Sequence, residues 1–420
     1  MDHHQLPHSM MIEREVVFEE EPKDKYHLAY MIHFLLGAGY LIPWNAFITA
    51  VDYFQVLYPS KHVNKVFSVG YMSAAVIVLF TLMYWSRSNR VKLPSVRTRM
   101  NMGQALFVVA LMVPPVTDWI DHGDHVSSTG SNIEFVVLVT MVMICGLADG
   151  LVGGSLIGST GELPERYMQA VFAGNAIAGL MTSALRIITK ASLPHNQKGL
   201  RSSAHIYFSF SAFLVLLCII CTNVLHKLPV IQFYRTKKAT DPNPNPTHRK
   251  SIDPNFFGVF KKIRWPVAAV FSVYLVSISI FPGYLSENVK SSHFTDWYPI
   301  LLITTFNFGD LIGKLFTTIY VPVNSKVVVL CSVGRVLFYP FFVGCIYGPN
   351  WMRSETSVIV LTLILGLTNG YLTSVLMMLA PKLVHIDKSE VVGIIMQTFL
   401  FIGLVLGSVV AWIWNFAKVK

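Results

Sequence analysis

The sequence predicts an all-α polytopic membrane protein, with about eleven transmembrane helices in a six-plus-five arrangement. Three observations carry that expectation. Hydrophobic residues make up 53% of the chain and charged residues 13%, with a mean hydropathy of +0.52, whereas a soluble domain is about 25% charged. Apolar runs recur along the 420 residues, each near the ~20 residues that a helix needs to cross the hydrocarbon. A polar, proline-rich stretch at 227–263 then separates six runs from five.

Residues 1–26 are polar and acidic (Glu13, Glu15, Glu19, Glu20, Glu21) and lack an apolar core, so they read as a cytoplasmic tail and not as a cleaved signal peptide. The runs follow at 27–51, 66–86, 101–120, 134–158, 167–189 and 204–226, forming an N-terminal bundle over 27–226. Lys237-Lys238 and Asp241-Pro-Asn-Pro-Asn-Pro246 mark 227–263 as a semi-rigid cytoplasmic linker. Five further runs, at 265–286, 298–321, 327–347, 356–380 and 391–416, form a C-terminal bundle over 264–420. With the N-terminus placed in the cytoplasm, the larger share of the 33 Lys and Arg residues falls on the inner side, which puts the C-terminus outside. The net charge of +10 is therefore a topology signal and does not imply a nucleic-acid partner.

Several function classes drop out. All five cysteines (Cys145, Cys218, Cys221, Cys331, Cys345) sit in apolar runs, which argues against a disulfide framework or a zinc site. No Gly-Lys-Ser/Thr phosphate loop, catalytic carboxylate pair or His-based metal cluster is present. No enzyme activity, cofactor or metal is expected.

The polar and small residues inside the runs carry the functional signal. In the first, Gly37-Ala-Gly-Tyr-Leu-Ile-Pro-Trp-Asn45 combines a proline, an indole and an amide. Trp44 there is either a stacking face for a heterocycle or a member of the interfacial aromatic belt. In the fourth, Gly146, Gly150, Gly154 and Gly158 recur every fourth residue as a smooth packing ridge, with a sliding surface as the functional extension. Asp149 in that ridge is a proton or substrate contact, or else the partner of Arg186 or Arg335. The fifth supplies Gln169, Asn175 and two packing glycines, Gly174 and Gly179. Phe281-Pro282-Gly283 marks a break near the end of the seventh, a candidate gate.

The eighth run is the most informative. It carries Asn307, Asp310 and Lys314 near its middle, where a charge costs about 2.5–3.5 kcal/mol even on the lenient insertion scale. Asp310 and Lys314 are four apart with the acid first, so they share a helix face and can pair. Asn307, one turn earlier, joins that face. Such residues belong against a protein interior or a water-filled cavity, which reads as a substrate pathway.

These motifs resemble the equilibrative nucleoside transporter family, most closely its plant members. The resemblance rests on Leu41-Ile-Pro-Trp-Asn-Ala-Phe-Ile-Thr-Ala50, Gly158-Ser-Thr-Gly-Glu-Leu-Pro-Glu-Arg-Tyr167, Ile280-Phe-Pro-Gly283, Trp297-Tyr-Pro-Ile300, Phe306-Asn-Phe-Gly-Asp-Leu-Ile-Gly-Lys314 and Gly366-Leu-Thr-Asn-Gly-Tyr-Leu-Thr-Ser374. It implies a fold resembling the major facilitator bundles and alternating-access transport of nucleosides, facilitative or coupled to protons through Asp149 or Asp310. It further implies that Trp44, Asn45, Ile48 and Met72 meet the nucleobase region, that Asp310 and Lys314 hold the ribose hydroxyls with support from Asn307, and that Phe281 and Pro282 gate the outer end. Gly150, Gly154, Gly174 and Gly179 are helix-packing positions. The implied partners are a nucleoside and the lipid bilayer, with a monomer in the plasma membrane, or alternatively the vacuolar membrane.

This chain departs from the family pattern at two points. Lys314 stands where human members have Arg, and a lysine lacks the planar bidentate fork. Gly153 stands where they have a base-contacting glutamine, so base selectivity does not carry over. The acid that organic-cation-selective relatives place in the fifth helix is absent between Met168 and Ile188, which lowers the monoamine reading. A nucleobase or organic-cation carrier of the same fold is the alternative.

Overall fold

The computed structural model describes residues 22–87, 94–122, 132–194, 196–240, 256–281, 291, 293–322, 325–349 and 351–416. The described residues form helices joined by short turns. In chain order these are α1 (Leu28–Thr49), α2 (Val51–Leu57), α3 (Val63–Arg87), α4 (Val96–His122), α5 (Asn132–Thr160), α6 (Glu165–Ser192), α7 (Gln197–Leu225) and α8 (Pro229–Thr240). There follow α9 (Phe256–Ile280), α10 (Tyr298–Phe316), α11 (Ser325–Gly334), α12 (Phe338–Tyr347), α13 (Glu355–Leu379) and α14 (Ser389–Phe416). Among the described residues, eleven helical segments are long and apolar enough to cross a membrane, α1 running on into α2 and α11 into α12 to make single spans. Their outward faces carry exposed Val69, Ile77, Phe213, Ile220 and Leu330, apolar surface of the kind that lipid covers.

The apolar runs understate the helices, because a helix begins or ends in a polar turn that a hydropathy window ignores. The clearest correction concerns the linker at 227–263. Its first part is helix α8, which buries Val230 and Ile231 in the core, and its last part is the beginning of α9. The Val230-Ile-Gln-Phe-Tyr234 pattern gives α8 an apolar face that anchors it despite its basic tail. The proline-rich segment 241–246 lies outside the described residues. At the other end, α9 stops at Ile280, and residues 282–290 also lie outside them.

Close crossings set the helix arrangement. α1 packs on α6 and α7, α5 on α3 and α4, α10 on α13, and α9 on α14. At the first crossing a Cβ on Gly174 would lie 1.9 Å from the Phe34 carbonyl oxygen, so backbone contact there requires glycine. The α10–α13 crossing is as tight: a Cβ on Gly370 would lie 2.0 Å from the Asp310 carbonyl oxygen. The α5 ridge divides its work. Gly146 and Gly150 meet the backbone of α3 at Tyr71 and Ala75, Gly154 meets Leu79 and Leu82, and Gly158 meets Glu390 at the beginning of α14.

Contacts between the first six spans and the last five include α6 against α10 and α13, and α14 against α3 and α5. At the end where 226–256 connects the two sets, hereafter the linker end, Arg99 pairs with Glu390 and Lys382 with Glu165. The span formed by α11 and α12 breaks at Arg335–Leu337, a short 3-10 turn. Arg335, the first residue of that turn, is buried.

Candidate functional site

Two polar clusters lie within the helical core. The first is built on α10. Lys314 Nζ lies 2.7 Å from Asp310 Oδ2, and both residues are buried. The second carboxylate oxygen accepts from Asn369 Nδ2 of α13 at 2.7 Å. Asn369 in turn accepts at its own oxygen from Ser277 Oγ at 2.7 Å and from Arg335 Nη1 at 3.4 Å. Arg335, 3% exposed, donates to the carbonyls of Val273 and Leu365 and to Ser277 Oγ. Its guanidinium thus bonds two backbone carbonyls and two side-chain oxygens, while Nε has no partner; such bonds offset the cost of burying a cation. The cluster contains one acid between two cations, linked through an amide.

Asn307 does not join that cluster, which corrects the shared-face expectation. Its amide donates to the Gly179 carbonyl at 3.1 Å and to Ser183 Oγ at 2.9 Å, both on α6. α10 is wedged between α6 and α13, and three residues turn a helix short of a full circle. Asn307 therefore meets one neighbour and Asp310 the other. Gly179 leaves room for this amide, since a Cβ there would sit 3.1 Å from it.

The second cluster joins α1, α3, α5 and α14. The half-buried Trp44 ring stacks on Tyr71 at 4.2 Å between centroids, with 29° between planes. Asp149, 2% exposed, is faced by the phenols of Tyr40 and Tyr71. Its Oδ1 and the Tyr71 hydroxyl nonetheless have no hydrogen-bond partner of good geometry. Gln397 Nε2 of α14 donates to the Tyr40 hydroxyl at 2.6 Å. The Tyr40 ring also accounts for Gly153, because a Cβ at 153 would lie 2.6 Å from Tyr40 Cε2. The aromatic ring occupies the space that a larger residue at 153 would need.

The remaining expected residues fall near this second cluster or toward the end opposite the linker. Met72 is buried beside Tyr71, Asn45 is half-buried with its Nδ2 unpartnered, and Ile48 is exposed. Phe281 is buried and stacks on Phe306 of α10 at 4.6 Å; Pro282 lies outside the described residues. Both salt-bridge partners considered for Asp149 are engaged elsewhere, Arg186 with Asp52 at 2.6 Å and Arg335 in the α10 cluster. At the linker end a cavity of about 340 Å³ is lined by Thr160, Pro164, Met168, Met377, Pro381 and Lys382. Among the described residues no group of three or more His, Cys, Asp or Glu side chains is placed to hold a metal.

Tyr40, Tyr71, Gln397 and Ser183 were not legible as site residues in the sequence, and Arg335 was legible only as a candidate partner of Asp149. Gln397 gave a faint signal, as an isolated amide in an apolar run. The two tyrosines gave none, since Tyr is common in membrane helices.

Outside the spans, His226 follows α7 and accepts from Arg235 Nη2 at its Nδ1, at 3.0 Å. Burial, with help from Arg235 and Arg97, pushes its imidazole down to about 4.

Comparison with known proteins places the chain in context. A family model described as "Nucleoside transporter" matches residues 139–416. "Equilibrative nucleotide transporter 8" of Arabidopsis thaliana is 49% identical over 410 residues, covering 96% of this chain and 100% of that protein. "Equilibrative nucleotide transporter 1" of the same plant is 44% identical over 402 residues, covering 94% and 88%. Among solved structures, the proton:xylose symporter XylE, of the major facilitator superfamily, aligns with a TM-score of 0.67 at 11% identity, over 94% of this chain and 90% of that one. The E. coli fucose:proton symporter FucP aligns with a TM-score of 0.59 at 13% identity, over 94% and 92%. At such identities these likenesses establish the fold.

Proposed function

The chain belongs to the equilibrative nucleoside transporter family, a transporter family and not an enzyme family, and from that premise we propose that it carries nucleosides such as adenosine and uridine by alternating access, with protons coupled to the movement. An N-terminal bundle, 27–226, and a C-terminal bundle, 264–420, rock about a site between them. The N-terminus is cytoplasmic, the C-terminus is outside, and the monomer resides in the plasma membrane, with the vacuolar membrane as the alternative.

One observation carries the reading: the Asp310–Lys314 pair, bound to Asn369, inside the membrane interior. Charges at that depth are expensive and mark solute pathways. A ribose offers vicinal hydroxyls, each both donor and acceptor, which suit a carboxylate beside an ammonium. Asp310 accepts from the hydroxyls and Lys314 donates to them. Trp44 stacks on the nucleobase with the face that Tyr71 leaves uncovered, while Met72 and Ile48 supply apolar contact and Asn45 an unpartnered amide. Asn307 acts as a latch between α10 and α6, and Phe281 with Pro282 gates the end away from the linker. The pairs Arg99–Glu390 and Lys382–Glu165 tie the two sets of spans together at the linker end.

A second reading, an organic-cation carrier, draws on Asp149, for which no salt bridge is found among the described residues. Adenosine uptake into nucleoside-transport-deficient cells separates the two. Nucleoside transport requires saturable uptake that excess uridine suppresses and that Asp310→Ala abolishes at equal surface expression. Uptake that uridine leaves untouched favours the second reading. Flux indifferent to external pH and to a protonophore removes the coupling.

A further inference from the structure

Two membrane-embedded acids are available for proton coupling, and their surroundings differ in kind. We infer that Asp149, and not Asp310, takes up and releases the transported proton, with the Tyr40–Gln397 hydrogen bond communicating its charge to α14. The inference rests on the proton-coupled nucleoside reading above and assigns the coupling within it.

Both carboxylate oxygens of Asp310 are engaged. Lys314 lies against one oxygen, Asn369 donates to the other, and Arg335 adds a second cation behind Asn369. Protonating it would leave two buried cations without an acid. The groups facing Asp149 carry no charge. They are Tyr40 from α1, Tyr71 from α3 and Cys145 one turn earlier on α5, with the Gln397 amide of α14 one hydrogen bond behind Tyr40. With Arg186 and Arg335 engaged elsewhere, ionised Asp149 is left with neutral donors alone, while the protonated acid is a neutral group with a hydrogen to give. Asp149 therefore lacks the counter-charge that Lys314 supplies to Asp310, and a proton is the cation it can take.

The chemistry is a single proton transfer in each direction. While the site is open to water on one side, the carboxylate accepts a proton from hydronium, leaving a carboxylic acid and a water molecule. On the other side the acid returns that proton to water. No other bond changes.

The geometry supplies the coupling to substrate and to conformation. Trp44, the proposed base-stacking residue, is stacked on Tyr71, whose phenol faces Asp149. A nucleobase pressing on Trp44 thus fixes the ring beside the titrating group. The Tyr40 oxygen accepts from Gln397, which leaves its own hydrogen free to donate to ionised Asp149. Tyr40 lies on α1 and Gln397 on α14, 357 residues apart. Loss of charge at Asp149 weakens the demand on the Tyr40 hydrogen, and with it the tie between those helices.

The test uses the full-length transporter in proteoliposomes holding a pH-sensitive dye. It reads protons moved per adenosine, a ratio that is independent of absolute rate. Wild-type protein moves protons in fixed proportion to adenosine. Asp149→Asn passes adenosine only down its own gradient, with the ratio at zero, whereas Asp149→Glu keeps the ratio and shifts the pH midpoint of uptake by a unit or so. Tyr40→Phe shifts that midpoint without abolishing the ratio, as a positioning residue should. A wild-type ratio retained in Asp149→Asn overturns the assignment, as does an Asp149→Glu midpoint that matches wild type when Asp149→Asn is inactive. A wild-type ratio of zero with intact adenosine counterflow overturns it too, and shows that coupling has failed while nucleoside carriage stands.

Discussion

Asn369 Nδ2 donates to Asp310 Oδ1 at 2.7 Å, binding two helices together at the point where Gly370 lets their backbones touch. The same amide passes charge balance from Arg335 to the Asp310–Lys314 pair, so the proposed ribose site and the packing of α9, α10 and α13 rest on one network.

Asp310→Ala is expected to abolish nucleoside uptake and to destabilise the protein by about 3–5 kcal/mol, because Lys314 loses its buried counterion. Asn369→Ala removes an amide and not a charge, and is expected to cost about 1–3 kcal/mol. Thermal unfolding of the purified variants in detergent, read beside uptake, checks both.

Gly370→Ala forces a methyl to within 2.0 Å of the Asp310 carbonyl oxygen and is expected to cost at least about 1–3 kcal/mol through overpacking. Gly334→Ala provides the control, since nothing lies within 4 Å of its Cβ position. That variant is expected to be neutral or to gain about 0.5–1 kcal/mol. Equal melting temperatures for the two would contradict the close-crossing account.

Gly153→Gln is expected to lower adenosine transport about tenfold, equivalent to ~1.4 kcal/mol, because the new side chain collides with the Tyr40 ring. Combining it with Tyr40→Ala frees the space and is expected to recover part of that loss. Strict additivity of the two single effects would show that the residues are not coupled.

His226 provides the pH prediction. Its folded pKa, about 4, lies below the ordinary histidine value of about 6.5. Between those values the unfolded chain binds the extra proton, so stability is intact above about 6.5 and declines as pH falls toward 4. The site is half open, so screening reduces the effect to about 1 kcal/mol. His226→Gln should flatten the melting temperature between pH 7 and pH 4.5 relative to wild type.

The fold was legible because the bilayer imposes a length and a composition that few other structures mimic. The eleven runs and the Asp310–Lys314 pairing follow from local spacing. What spacing could not reveal was partnership across helices. Asn307 sits one turn from Asp310 yet answers to α6, and Arg335 bonds carbonyls from two other helices. Tyr40 gains meaning only when Gly153 lies beneath its ring. α8 was hidden because its apolar face is a few residues wide and is followed by lysines and prolines.

The most direct measurement is radiolabelled adenosine uptake by the purified protein in liposomes, with uridine, a free nucleobase and an organic cation as competitors, for wild type and Asp310→Ala. The account predicts saturable uptake that uridine suppresses, that the cation does not, and that the variant lacks. Uptake that persists in Asp310→Ala and ignores uridine would contradict it.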